Sequence, residues 1–432
     1  MKTRVSRLTM NIFKLTALAL AFAPASAFAT LGYFAHGYGL KAKGMGGVGI
    51  ALPQDALAPA TNPAGNAWIG TRFDGEMEWF RPIREGEIAG NGIGLNGKYD
   101  ANGRKNFLIP GVGYNRMVNQ DLALGIAVFG NGGMNTSFNS NPFSLFSVGA
   151  AGVGKAGVDY MQLFIAPTVA YKLNQNHSIG ATVNFVYHQF GAQGLEGFQG
   201  FSATPGSVTN RGRDDASGAN LRLGWTGKIT PAITLGATYQ SKTKMGKLGK
   251  YSGLFRNQGE LDVPENYGIG IAVDATPKLK IAADILQINY AKMSSVGTPV
   301  DCFFAGACFL GASNGPGFGW RNTTAFKIGA SYALSQSLTL RAGFATTKQP
   351  IPANQTFLNI IFPAVVQDHI TLGATLQTGA TELTVGYMHA FKKTVSGAGS
   401  IPGGFPPAGF GGGNANLRMY QDSLGVGLGM KF

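Results

Sequence analysis

The last fourteen residues of the chain, Met419–Phe432, constrain its fold more than any other stretch. From Leu424 to Met430, apolar residues alternate strictly with glycines, and the chain ends on an aromatic residue, Phe432. Side chains of a β-strand point alternately to its two faces, so a period of two predicts a strand with one wholly apolar face. This face needs an apolar environment, which the rest of the chain or a lipid bilayer has to provide.

The start of the chain has the features of a secretory signal. Four basic residues and no acidic one precede the apolar run Leu15–Phe22, and the small-residue site Ala27–Ala29 follows. This order is typical of a signal peptide, whereas a membrane-spanning helix needs about 20 apolar residues. Residues 1–29 are therefore predicted to be a signal peptide that is removed on export.

The composition beyond residue 29 argues for one membrane-embedded domain. Only 13% of all residues are charged, against about 25% in typical soluble domains. No later stretch is apolar enough for a transmembrane helix, and no Pro/Ser-rich linker divides the chain. The net charge of +14 is high, but export and the lack of basic clusters with interleaved aromatics argue against nucleic acid. Lipopolysaccharide, or solvated lysines scattered over loops, accounts for the excess equally well.

The alternating pattern recurs from Thr71 onward and predicts about fourteen strands. Short connections alternate with long ones throughout. The short ones lie at 119–120, 174–176, 230–231, 276–277, 335–336 and 378–379, and the long ones include Arg84–Lys105, Met134–Ala156 and Gly191–Gly218. Bacterial outer-membrane barrels combine an even number of strands, a lipid-facing apolar side, short periplasmic turns and long external loops. Residues 71–432 are therefore predicted to form an all-β transmembrane barrel of about 14 antiparallel strands in a Gram-negative outer membrane.

Residues 30–70 do not alternate like the rest of the chain. They are small, apolar and glycine-rich, and they contain the run Gly44–Gly47 and the sequence Asn62-Pro63-Ala64-Gly65. Pro63 fixes its own φ, and an asparagine before it suits a tight turn. A barrel of about fourteen strands encloses a lumen too wide for its own side chains to fill. We expect residues 30–70 to plug that lumen.

This segment resembles one known family. Gly37, Gly39, Lys41, Gly44–Gly47, Asp55-Ala56 and Asn62–Gly65 are similar to the N-terminal region of the FadL/TodX (OmpP1) transporters. The strand number, loop alternation and terminal Phe extend the resemblance over the mature chain. It implies an N-terminal lumenal hatch at 30–70, with Asn62, Pro63, Ala64 and Gly65 as its motif. It also implies passive outer-membrane transport of long-chain fatty acids or aromatic hydrocarbons, with no enzyme activity and no cofactor.

The family resemblance further implies a kink in the third barrel strand that opens the wall sideways. The third predicted strand ends in Phe129, Gly130, Asn131, Gly132 and Gly133. Glycines within a strand often mark a bulge or a local break in pairing. The same glycines are equally compatible with the start of an external loop.

Candidate substrate contacts are of two kinds. Tyr33, Phe34, Phe143 and Phe146 could contact an apolar compound. Three cations predicted to face the lumen could bind the carboxylate of a fatty acid: Arg222, Lys327 and Arg341. Fatty acid and neutral hydrocarbon both remain open as substrates.

The two cysteines, Cys302 and Cys308, lie in one predicted loop of an exported chain and are expected to form a disulfide. The five histidines are dispersed, so no metal site is predicted. A general diffusion porin and a surface adhesin or receptor barrel are the alternative functions. The expected partners are hydrophobic small molecules, lipopolysaccharide and outer-membrane lipid, and the protein is expected to be a monomer.

Overall fold

The computed structural model describes residues 31–144, 154–404 and 409–432. Its sixteen strands are β1 (Arg72–Ala89), β2 (Gly97–Asp100), β3 (Phe107–Met117), β4 (Leu122–Ser137), β5 (Gly157–Lys172), β6 (His177–Gln193), β7 (Asp214–Thr230), β8 (Ile233–Gln240), β9 (Lys244–Met245), β10 (Asn266–Asp274), β11 (Leu279–Ile288), β12 (Thr323–Ala333), β13 (Leu338–Thr347), β14 (Asp368–Thr378), β15 (Thr381–Val395) and β16 (Asn414–Lys431). Fourteen of them form a closed antiparallel barrel, which confirms the predicted fold class. The short strands β2 and β9 add to the outer parts of β1 and β7.

The barrel closes where the last strand meets the first. β16 pairs with β1 in an unbroken register from Arg72 opposite Lys431 to Ala89 opposite Asn414. The predicted closing strand is therefore confirmed. A closed ring leaves no strand edge that would have to be buried in lipid without hydrogen bonds.

Alternation separates the two faces of the wall. Leu424, Val426 and Leu428 of β16 are each more than half exposed, and the residues between them face inward. Tyr171 and Tyr239 are among the aromatic residues that remain exposed near strand ends. An outward apolar band with aromatic residues at its rims is the arrangement that lipid requires.

Helical elements are short. The α-helical turns are Leu40–Lys43, Arg256–Gly259, Ser294–Gly297, Asp301–Phe304 and Thr356–Asn359, and the 3-10 turns are Ala58–Ala60, Pro63–Trp68, Glu196–Phe201, Pro205–Ser207, Gly249–Tyr251, Tyr290–Lys292 and Ala353–Gln355. Within the described ranges, no helix has both the length and the apolar character needed to cross a membrane. The predicted signal peptide lies outside the described residues.

Several strands extend beyond the ends that the sequence predicts. Arg84, predicted to begin an external loop, lies within β1, and β6 and β7 remain paired up to Phe190 opposite Asp214. Apolar alternation marks only the part of a strand that faces lipid. Beyond it, outward positions become polar, as where Glu85 pairs with Arg418 at 3.0 Å, while the backbone ladder continues.

Candidate functional site

The N-terminal segment, defined here as residues 31–70, contacts the inward face of the barrel wall all around the ring. At the contacts the strands carry glycine. A Cβ atom at Gly113 would lie 2.3 Å from Ala56 O, and one at Gly329 would lie 2.2 Å from Met45 O. Other inward-facing glycines at which an added Cβ would contact the segment include Gly132, Gly180, Gly224, Gly236, Gly343, Gly373 and Gly425. We call these nine positions the glycine belt; it lets the backbone of the segment approach the backbone of the wall.

Asn62 holds the middle of the N-terminal segment. Its Nδ2 donates to Ile50 O at 2.7 Å and to Trp225 O of β7 at 3.0 Å, and its Oδ1 accepts from Ala64 N at 3.1 Å. Pro63 follows as the first residue of a 3-10 turn, where its missing N–H costs no hydrogen bond. The predicted motif thus caps a buried turn and ties it to the wall.

Replacing Asn62 with alanine should release this turn. Two buried carbonyl groups and one amide would lose their partners, at about 1–3 kcal/mol each. We expect trypsin to cleave the variant after Lys41 or Lys43, both of which are shielded when the segment is docked, while the barrel stays resistant. Mass spectrometry of the fragments measures this. Asn174→Ala, in an exposed turn where Asn174 Oδ1 caps two backbone amides, is the matched control; equal resistance of both variants would contradict the anchoring role.

Ion pairs fasten the segment at the end of the barrel that carries the short turns. Glu382 of β15 accepts from Lys41 of the segment, from Arg72 Nη2 at 2.7 Å and from Lys431 Nζ at 2.7 Å. Further bonds between the segment and β1 are Lys43 to Glu78, Leu40 N to Glu76 and Ala56 N to Asp74. Buried charges here are compensated by opposite charges, which is the condition for their stability.

The three predicted lumenal cations face inward, and each donates to the N-terminal segment. The contacts are Arg222 Nη1 to Thr61 O at 3.0 Å, Lys327 Nζ to His36 O at 2.8 Å, and Arg341 Nε to Gln54 Oε1 at 3.1 Å. Arg222 and Lys327 also line a small chamber together with Phe34 and Tyr38. Arg341 does not line this chamber, so the structure brings only two of the three cations together.

The barrel wall is interrupted beside the third barrel strand, β4. The ladder between β3 and β4 runs only from Met117 opposite Ala123 to Gly111 opposite Phe129. Beyond that point β3 continues against β1, and β4 continues against β5. Residues 107–110 and 130–136 therefore face each other without a shared ladder, and we call this the wall gap. An isolated bridge between Asn102 and Ser137 borders it on the outer side.

A bulge in β4 coincides with the wall gap. The register between β4 and β5 shifts between Gly130 and Gly132, so Asn131 is an extra residue in β4. The predicted kink residues 129–133 fall on this shift. Asn131 Nδ2 donates to Gln162 Oε1 of β5 at 2.7 Å, and Asn131 Oδ1 accepts from the hydroxyl of Tyr38 at 2.6 Å. Burial raises the pKa of Tyr38, so its hydroxyl remains a donor.

The free edge of β4 pairs with the N-terminal segment instead of with β3. Ala35 N donates to Asn131 O at 2.8 Å, and Gly133 N donates to Tyr33 O at 2.9 Å. These bonds flank an antiparallel bridge between Phe34 and Gly132. The segment therefore satisfies backbone groups that the wall gap would otherwise leave open. No local pattern in the sequence indicates this pairing, because the two stretches are about a hundred residues apart.

The external loops enclose an apolar pocket with about 570 Å³ of free space, counted to its mouth. Its lining includes Phe143, Phe190, Phe198, Ile361 and Phe362. Phe143, a predicted contact, is thus part of the pocket, whereas Phe146 lies outside the described residues. The predicted contacts Tyr33 and Phe34 lie deeper. Tyr33 packs against Trp320 at 5.7 Å between ring centroids, and Trp320 against Phe362 at 6.1 Å, so aromatic rings lead from the pocket to the segment.

The cysteines and histidines form no metal centre among residues 31–144, 154–404 and 409–432. Cys302 and Cys308 are joined by a disulfide within the loop before β12. His36 and His369 stack with ring centroids 4.9 Å apart, a contact that their distance in sequence conceals.

Comparisons with known proteins agree with this architecture. Residues 16–401 match the family model described as outer membrane protein transport protein (OMPP1/FadL/TodX). The Pseudomonas putida toluene transporter TodX is 18% identical, with a TM-score of 0.69 over 92% of this chain and 99% of that one. A Pseudomonas aeruginosa FadL homologue is 15% identical, with a TM-score of 0.67 over 94% and 100%. The Ralstonia pickettii toluene transporter TbuX is 18% identical, with a TM-score of 0.62 over 92% and 99%.

At such low sequence identity, the structural similarity shows a shared fold and nothing further. Among curated proteins none matches the chain. The family assignment rests on the family model, which covers most of the chain. The protein therefore belongs to the OMPP1/FadL/TodX family of outer membrane transport proteins, which carry hydrophobic compounds and are not enzymes.

Proposed function

We propose that this protein passes long-chain fatty acids or aromatic hydrocarbons passively through the outer membrane of a Gram-negative bacterium, with release through the wall gap. The observation that carries the proposal is the pairing of residues 33–35 with the free edge of β4. A gap closed by a segment from the lumen, and not by a neighbouring strand, can open without unfolding the barrel.

The proposed route begins in the apolar pocket of the external loops. Apolar compounds are poorly soluble in water, and their transfer from water into such a pocket lowers the free energy. Phe143 would contact the compound there, and Phe146, three residues further along the chain, is proposed as a second contact. The rings of Trp320, Tyr33 and Phe34 would then lead it to the wall gap.

Residues 31–70 act in this proposal as the hatch, and Asn62–Gly65 as its anchor. Tyr33 and Phe34 are buried at the wall gap, so a compound passes only if they move. The anchored part near Asn62 need not move with them, because its bonds go to Ile50 of the segment and to β7, which is three strands along the ring from β4. Arg222, Lys327 and Arg341 would hold the hatch in place, with Arg222 and Lys327 open to a carboxylate in the small chamber that they line.

The surroundings of the barrel follow from its surface. The closed ring has no strand edge for another copy to extend, which favours a monomer. Exposed lysines of the external loops, including Lys244, Lys247 and Lys250, suit the phosphates of lipopolysaccharide.

Uptake by cells with and without the protein tests the function. Labelled oleate and labelled toluene should each be offered beside a small labelled sugar. Faster uptake of oleate or toluene with unchanged sugar uptake is the expected result, and it would identify the substrate class. Faster sugar uptake with no effect on either apolar compound would mean a diffusion porin and would refute the proposal.

A further inference from the structure

Arg84 occupies an unusual position behind the wall gap. It lies on the inward face of β1 and is only 3% exposed. Its Nη1 donates to Asn135 O of β4, and its Nη2 donates to Arg104 O just before β3. The guanidinium group therefore spans the gap from the inside, with one hydrogen bond to each border.

This buried cation has no salt-bridge partner among the described residues, although Asp100 attracts it from a distance. No carboxylate among the described residues forms an ion pair with it, unlike Arg72, which pairs with Asp74 and Glu382 on the same barrel wall. The Nε atom of Arg84 is buried and makes no hydrogen bond. The nearby Asp100 is exposed and accepts hydrogen bonds from Asn102. A buried charge is expensive unless an anion compensates it, and no carboxylate is in direct contact with this one.

The space around Arg84 is mostly apolar, although Asn135 and Thr136 of β4 also line it. A pocket with about 270 Å³ of free space lies between β1, β4 and the loop before β14, and Phe80, Met134, Phe362 and Met419 line it together with Arg84. Phe362 also lines the larger apolar pocket of the external loops. The two pockets thus share one lining side chain, which lies between Arg84 and the external loops.

We propose that Arg84 binds the carboxylate of an amphipathic substrate at the wall gap, so that the protein selects fatty acids over their uncharged analogues. Arginine offers donors in a fixed planar arrangement that matches a carboxylate, and the free Nε–H is one of them. A carboxylate in this place would also compete for the Nη donors that link Asn135 to Arg104 and so loosen the borders of the gap. This inference rests on the proposed function and specifies its substrate.

The test compares oleate with oleyl alcohol, which has the same tail and no charge. Uptake of each is measured at pH 8 in cells carrying wild type, Arg84→Gln, Arg84→Lys or Arg81→Gln. Arg81 is the neighbouring arginine on the opposite face of β1 and serves as the matched control. We expect Arg84→Gln to lower the ratio of oleate to oleyl alcohol uptake about tenfold, equivalent to about 1.4 kcal/mol. Arg84→Lys should fall between, because it keeps the charge without the planar donors.

Binding of radiolabelled oleate to protein refolded in an uncharged detergent, free of lipopolysaccharide, accompanies the uptake. The same loss of affinity there shows that the anion is the substrate's carboxylate; a loss of uptake without a loss of binding would point to a lipid anion and overturn the proposal. An equal fall for both compounds would make Arg84 a structural link only, and an unchanged ratio would also overturn it. A wild type that transports toluene but not oleate refutes this inference alone, whereas one that transports none of the three refutes the proposed function.

Discussion

Deletion of Asn131 is expected to reduce uptake of hydrophobic compounds to the background of cells without the protein. Asn131 is the extra residue of β4, and its removal would let the strand pair with β5 in a continuous register. The outer half of β4 would then lose the bend that keeps its edge away from β3. The deletion also removes the acceptor of Ala35 N, and without the bend the edge no longer presents Gly133 N to Tyr33 O of the N-terminal segment. Uptake of labelled oleate and toluene measures the effect.

Asn131→Ala separates the bulge from the side chain. It keeps the extra residue and removes only the bonds to Tyr38 and Gln162. We expect it to retain most of the uptake if the bulge itself forms the gap. Heat-dependent migration in gels shows whether each variant forms a folded barrel. A folded deletion variant with full uptake would show that compounds leave by another route.

Gly329→Val is expected to open the lumen of the barrel to water and small solutes. A Cβ atom there would lie 2.2 Å from Met45 O and 2.6 Å from Met45 Cβ, and the strand backbone cannot retreat without breaking its ladder. The N-terminal segment therefore has to leave its place, since overpacking of this kind costs about 1–3 kcal/mol even where the surroundings can adjust. A fourteen-stranded lumen without its segment is wide enough for water and small solutes. Single-channel conductance in planar bilayers should rise from near zero to discrete steps.

Two further variants make this result specific to the glycine belt. Gly343→Val should behave in the same way, because its Cβ would lie 2.1 Å from Gly46 N. Gly200→Val should remain closed, since a Cβ at this external turn has no neighbour within 4 Å. Conductance in the Gly200 variant as well, or in none of the three, would mean that the segment does not close the lumen.

The strands of the barrel wall can be predicted from the sequence because contact with lipid requires an apolar residue at every second position of a strand. From Leu424 to Met430 apolar residues alternate with glycines along β16, and the same period marks the lipid-facing parts of the other strands. The ends of the strands are harder to predict from the sequence. Arg84 was predicted in a loop because the outward side of β1 becomes polar there, although the ladder with β16 continues to Ala89.

Only part of the candidate site can be predicted from the sequence in this way. The sequence indicates that Asn62–Gly65 forms a turn and that glycines interrupt β4, but both statements concern neighbours in the chain. The stacking of His36 on His369 and the bonds of Arg222 and Lys327 to carbonyl groups join residues that are far apart in sequence. Inward glycines such as Gly329 and Gly343 were visible as glycines, yet nothing local says that Met45 and Gly46 lie against them.

The sequence by itself determined that this chain forms a barrel of about fourteen strands with an irregular segment before the first of them, and it predicts a signal peptide. The two-residue period of a strand, the residues of a turn and the composition of a signal peptide are all properties of a few consecutive residues. The period recurs in every barrel strand because one face contacts lipid and the other faces the lumen. Only the tertiary structure decided where the wall is unpaired, that residues 33–35 pair with the exposed edge, and that Arg84 lies behind it with its Nε–H unbonded. These features depend on which distant backbones meet when the ring closes, and closure is a property of the whole barrel.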